Sequence, residues 1–230
     1  MRSLLQLFGV SIIPGILWVM YFRLKDRYEP EPASVVSRAF ILGAVMVFPA
    51  GLIEAPFRPI LVSPPNLVVL ALTVIVGVGL VEEYLKYWVV RKYIYPHPEF
   101  NEPVDGIIYT VSAGLGFAAF ENVLYAASYG LTVGIVRAVL TSIVHASFSG
   151  IVGYSLGVAK FSPPEQARGM VARGIMAAAI LHGLYDFLLM TGIMNFYFTV
   201  LVVFLLYAGL GGRIRTALHA SPFHPDREDR

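Results

Sequence analysis

Residues 67–90 read LVVLALTVIVGVGLVEEYLKYWVV. The run is long and apolar enough to cross a bilayer as a helix, which takes about 20 residues. Yet it carries Glu82, Glu83 and Lys86. Each charge near a bilayer centre costs roughly 2.5–3.5 kcal/mol even on the gentlest insertion scale. Charges kept at such depth mark a site rather than a surface.

The rest of the chain agrees with a membrane setting. Of its 230 residues 57% are hydrophobic and 14% charged, where soluble domains carry about 25% charged residues. Seven stretches have the length and character of membrane helices: 3–22, 35–54, 67–90, 106–128, 132–158, 170–190 and 194–210. The expected fold is therefore all-α, one seven-helix polytopic bundle over residues 1–211 with a polar, frayed tail over 212–230. The first stretch lacks a small-residue cleavage site, and its basic residues follow it, so it reads as a helix rather than a signal peptide. The absence of cysteine excludes disulfides, thiolate metal sites and a cysteine nucleophile. The proline-rich pieces YEPEP (28–32), SPP (63–65), YPHPEFNEP (95–103) and SPPEQ (162–166) fall in the expected loops.

Lys and Arg suggest the orientation. Arg23, Lys25, Arg27 and Arg38, then Lys86, Arg91 and Lys92, then Lys160, Arg168 and Arg173, then Arg213, Arg215, Arg227 and Arg230 all lie on one side of an alternating seven-span path. Of the 17 basic residues only Arg2, Arg58 and Arg137 fall elsewhere. The positive-inside rule then places the N-terminus outside and the C-terminus in the cytoplasm.

Few ionisable groups remain at depth: Glu82, Glu83, Lys86, Glu121, Arg137, His145, His182 and Asp186. At 1.5 Å per residue Glu82 lies roughly 12 Å from the basic end of its span, and His145 and His182 roughly 18 Å from theirs. Four helices thus bring acid or imidazole to a similar layer, which points to one shared polar site. Glu82 and Glu83 stand four and three residues before Lys86, so the lysine projects between the two acids. It can hold one glutamate ionised while burial favours the protonated form of the other. His182 and Asp186 are also four apart, and the aspartate would orient the imidazole. Asn122, beside Glu121, is a candidate amide donor. Arg137 reads as structural or lipid-facing. Gly77, Gly79, Gly114, Gly116, Ser149, Gly153 and Gly157 would let helices approach closely.

Several routes to hydrolysis can be set aside. There is no HExxH helix for a zinc protease, no nucleophile turn around Ser147 or Ser149, and only one deep aspartate where an aspartic dyad needs two. Carboxylates with histidines remain. Glu82 or Glu83, with a raised pKa, can take a proton from water, with Lys86 tuning the pair, while histidine and Asn122 stabilise the oxyanion or protonate the leaving amine. Alternatively Glu82, Glu83, Glu121, His145 and His182 can bind a divalent metal such as zinc, which activates water. The residues alone leave both open. They also fit two other readings: a structural ion-pair knot at Glu82, Glu83 and Lys86, and a proton- or cation-coupled transporter using the acids and imidazoles as a relay. Against the transporter, no internal repeat is visible.

EEYLK (82–86), FAAFEN (117–122), HASFSGIVG (145–153) and HGLYD (182–186), preceded by DRYEPEP (26–32), together resemble the PrsW family of intramembrane proteases. That family is grouped with the CAAX prenyl endopeptidases and the Abi/CPBP proteins. The likeness runs from about Asp26 to Asp186. It implies a multi-pass protein of a prokaryotic cell membrane. Its partners would be the lipid bilayer and a membrane-anchored protein substrate, with no nucleic acid. The expected reaction is a first cut in an anti-sigma factor. By position, Glu82 and Glu83 match the catalytic glutamates and His182 matches the histidine of the last motif. Glu121 stands where the CAAX endopeptidases have a histidine, and Asp186 where they have an asparagine. The resemblance is compatible with a glutamate-type and with a metal-dependent mechanism.

Overall fold

The computed structural model describes residues 4–227. Arg2, Arg230 and the start of the expected span 3–22 lie outside the described residues. Among the described residues, seven helices are long and apolar enough to cross a membrane. We label them α1 (Leu4–Arg23), α2 (Ala33–Val62), α3 (Leu67–Tyr93), α4 (Pro103–Tyr129), α5 (Leu131–Lys160), α6 (Pro164–Met190) and α7 (Phe196–His219). The architecture is the expected all-α bundle.

The helix ends differ from the expected ones for local reasons. α2 does not stop at Glu54. It passes through a 3₁₀ turn, Ala55–Phe57, and a last α turn, Arg58–Val62. Pro56 and Pro59 sit early in these short pieces, where a missing N–H costs least. α7 continues beyond Gly211 to His219, with Ile214, Ala217 and Leu218 buried against the bundle. α3 has a single π-helical stretch, Thr73–Gly79, directly before the charged segment. Such bulges recur at functional sites.

α4 is the centre of the molecule. Every residue from Pro103 to Ala119 is buried, and it packs against α1, α2, α3, α5 and α7. Its start is well defined: Pro103 occupies the first turn, and Asp105 Oδ2 accepts from the backbone N–H groups of Asn101 and Glu102, each at 2.7 Å. The outer helices show the reverse pattern, with Ile13 and Leu17 on α1 and Phe204 and Leu205 on α7 exposed. In water such a girdle would drive aggregation; in lipid it is the solvated surface.

The contact that matters most for the site is that between α3 and α6. A Cβ on Gly79 would come within 2.6 Å of the Ala179 carbonyl oxygen, and one on Gly183 would collide with the Ile75 backbone. Glycine at both positions lets the two backbones approach closely. His182, next to Gly183, is thereby carried onto the face of α3 that bears Glu83.

Candidate active site

Lys86 lies at the heart of the polar layer and is almost wholly buried, as are Glu82 and Glu83. Its ammonium is 2.9 Å from Glu82 Oε2, 2.9 Å from Glu83 Oε1 and 2.9 Å from His145 Nδ1. It also stands 4.3 Å from the centre of the Phe117 ring. An ammonium can only donate, so Nδ1 of His145 accepts and Nε2 carries the proton. That Nε2 points to Glu121 Oε2 at 3.2 Å. Three deep charges from one helix are thus satisfied by one another and by α5, as buried charges must be.

The two adjacent glutamates have separate surroundings, because neighbours on a helix project about 100° apart. Glu83 is fully enclosed: Oε1 meets Lys86 and, at 3.0 Å, His182 Nδ1, while Ser149 lies 3.5 Å from Oε2. Glu82 instead lines a cavity of about 530 Å³. Glu121, His145, His182 and Asp186 line the same cavity, with Glu54, Arg58 and Arg137. Four helices do meet in one layer, joined there by the extended end of α2.

Three sequence expectations need revision. Arg137 is not lipid-facing. Its Nη2 is 2.9 Å from Glu121 Oε2, its Nε donates to Asn122 Oδ1 at 3.1 Å, and its guanidinium covers the Tyr125 ring. Asn122 is fully buried, with its carbonyl taken by Arg137 and its amide directed to Ser142 at 3.4 Å. It therefore holds Arg137 rather than presenting a donor to the cavity. Asp186 Oδ2 is 3.6 Å from His182 Nε2, too far for a hydrogen bond, so the closer orienting partner of His182 is Glu83. Sequence reading missed Glu54, whose Oε1 is buried without a hydrogen-bond partner. It closes the expected span 35–54 and so read as a loop-side acid. The continuation of α2 beyond it turns it inward.

The donor set bears on a metal. One donor atom each from Glu82, His145 and His182 lies within 4.8 Å of the others. Glu82 Oε2 is 3.8 Å from His145 Nδ1 and 3.9 Å from His182 Nε2. Donors on a tetrahedral zinc, with bonds of about 2.0–2.1 Å, stand about 3.4 Å apart, and two histidines with one glutamate is a known catalytic zinc set. Each imidazole also turns its far nitrogen to a carboxylate: His145 Nε2 to Glu121, and His182 Nδ1 to Glu83. Carboxylates in that position fix the tautomer and raise the basicity of a metal-ligating histidine. Phe148 stacks on His182 and Phe117 on His145, which limits ring rotation. The residues fit a divalent metal. Of the wider candidate set, Glu83 and Glu121 stand behind the histidines rather than beside Glu82.

Comparison with known proteins supports a protease. The model of a family described as PrsW family intramembrane metalloprotease matches residues 31–210. The chain is 39% identical to Protease PrsW of Geobacillus kaustophilus over 80% of each chain. It is 38% identical to Protease PrsW of Bacillus subtilis, over 88% of this chain and 91% of that one. It is 33% identical to Protease PrsW of Clostridioides difficile, over 81% and 80%. No solved structure matches significantly. These matches disfavour the transporter alternative, and they extend over both the membrane helices and the polar layer. This multi-pass membrane protein belongs to the PrsW family of intramembrane metalloproteases.

Proposed function

We propose that the chain hydrolyses a peptide bond of a membrane-anchored protein at the cavity lined by Glu82, His145 and His182. The single observation that carries this is the convergence of those three donors, from three helices, on a wet-sized cavity within the bundle. Glu82, His145 and His182 would hold a divalent metal, zinc by the chemistry of the set. When bound, such an ion polarises a carbonyl and lowers the pKa of water.

The remaining steps belong to the chain's own groups. Glu83 orients His182 and Glu121 orients His145, which leaves His182 Nε2 and His145 Nδ1 as the nitrogens nearest Glu82. Lys86, 2.9 Å from that His145 nitrogen, would have to give way to the metal there. Lys86 balances the charge of the two neighbouring glutamates. A carboxylate held in an ion pair is a weaker base. Glu83 is committed to Lys86, Glu121 to Arg137, and Asp186 stands 3.6 Å from His182. Glu54 has a cavity position and an oxygen with no partner. It accepts a proton from the attacking water; the water oxygen bonds to the peptide carbonyl carbon. As the C–N bond breaks, the same proton passes to the departing nitrogen. Arg137, on the cavity wall, supplies positive charge as the carbonyl oxygen becomes anionic. The natural substrate would be a single-pass protein, an anti-sigma factor by the family resemblance.

The test uses purified protein in lipid with a panel of single-pass substrates. Wild type is compared with Glu82→Gln, and bound metal is measured by elemental analysis. Cleavage by wild type with near-stoichiometric zinc, lost in Glu82→Gln together with the metal, is the expected result. Equal turnover by both proteins would remove the site. Full activity after exhaustive chelation would remove the metal.

A further inference from the structure

A second cluster of buried acids lies outside the candidate active site, where the α1–α2 connection meets the start of α4. One oxygen each of Asp26, Glu31 and Asp105 lies within 4.8 Å of the others. All three residues are buried, Asp26 and Glu31 at 2% and 3% exposure and Asp105 at zero. Asp105 Oδ2 takes two backbone N–H groups, while Oδ1 makes no hydrogen bond of acceptable geometry, although the Glu31 carboxyl approaches Asp105 closely enough to share a proton. Glu31 accepts from the hydroxyl of Tyr109. Asp26 makes no hydrogen bond of acceptable geometry through either oxygen, although the Tyr28 and Glu29 N–H groups approach it. Nothing in the mechanism above uses these residues.

Buried carboxylates at such spacing repel one another and are held apart from water, so something must compensate. Protons are one answer. Burial, then the charge of Asp105, pushes Asp26 up to about 7, and burial, then Asp105, pushes Glu31 up to about 10. A cation is the other. No Lys or Arg makes a salt bridge to the three among the described residues. Arg23 Nε donates to the backbone carbonyl of Glu31 rather than to its carboxylate, and Lys160 spends its ammonium on the Tyr95 carbonyl at 2.7 Å. Oxygen donors alone, with carboxylate charge in excess, select a hard ion over a transition metal.

We propose that Asp26, Glu31 and Asp105 form a binding site for a hard divalent cation, magnesium or calcium. Such an ion clamps the α1–α2 connection onto the first turn of α4. Asp26 and Asp105 each contribute a buried oxygen that makes no hydrogen bond of acceptable geometry. The site is separate from the Glu82 cavity in both residues and helix ends, so it stands or falls independently of the proteolytic reading.

Terbium tests this directly, because it replaces calcium at oxygen sites and emits when excited through a nearby tyrosine, here Tyr109. Full-length protein in neutral detergent is stripped with chelator and titrated with terbium. The expected result is saturable sensitised emission, displaced by calcium or magnesium and retained in Glu82→Gln. In Asp26→Asn and in Glu31→Gln, each checked for a monodisperse elution profile, the apparent affinity should fall by about tenfold or more, as expected when ligand charge is removed. Absence of saturable emission from the wild type overturns the proposal whatever the variants do. So does unchanged affinity in both variants, or loss of the signal in Glu82→Gln. A cluster that merely shares protons would give that first outcome.

Discussion

Glu82 and Glu83 have almost the same chemistry in sequence and different tasks in space. Glu82 lines the cavity, while Glu83 is sealed behind Lys86 and His182. Glu82→Gln should therefore release the metal and abolish cleavage, since it removes one of three metal ligands. Glu54→Gln should lower kcat by about 100-fold, the low end of general-base effects, with metal content unchanged; an unaltered kcat would exclude Glu54 as the proton acceptor. Lys86 contacts the same Glu82 oxygen and His145 nitrogen that a metal would use. Lys86→Met should leave zinc stoichiometry intact while displacing the pH–activity profile, because the paired charge of Glu83 goes uncompensated. Loss of zinc in that variant, without a change of profile, would make the lysine a structural prop.

At the scale of helices, the site depends on how closely α3 and α6 meet. Gly79 and Gly183 hold that contact. Gly183→Leu should separate the two helices and lower activity by at least about tenfold through misplacement of His182, since small displacements in a catalytic constellation cost orders of magnitude. Retained insertion with reduced kcat would agree; unchanged turnover would show that the contact is dispensable. The seven helices were legible because each is an apolar run of bilayer length, and a membrane permits few other structures. The π-helical stretch Thr73–Gly79 was not legible, for it depends on what α3 packs against rather than on its own composition. The meeting of acids and imidazoles could be inferred from depth alone. Arg137 and Glu54 could not, since Arg137 faces inward only when α4 and α5 are packed together, and Glu54 only when α2 continues past Pro56.

For the whole molecule, seven crossings would put the start of α1 and the end of α7 on opposite faces, and the distribution of Lys and Arg argues that the latter is cytoplasmic. Reporter fusions after His219 and in the short turn between α4 and α5 should give opposite signals, with the cytoplasmic one at the C-terminus. The reverse assignment would overturn the orientation. The cavity wall includes Leu61 and Val62 at the end of α2, Tyr129 at the end of α4, and Leu189 and Met190 at the end of α6. These helices all run the same way, so their ends share a face, away from the lysine- and arginine-bearing loops. Hydrolytic water would then arrive from the extracytoplasmic aqueous phase. On the proposed orientation, a bait segment would be severed by a reagent drawn from outside the cell, at the face opposite the basic loops.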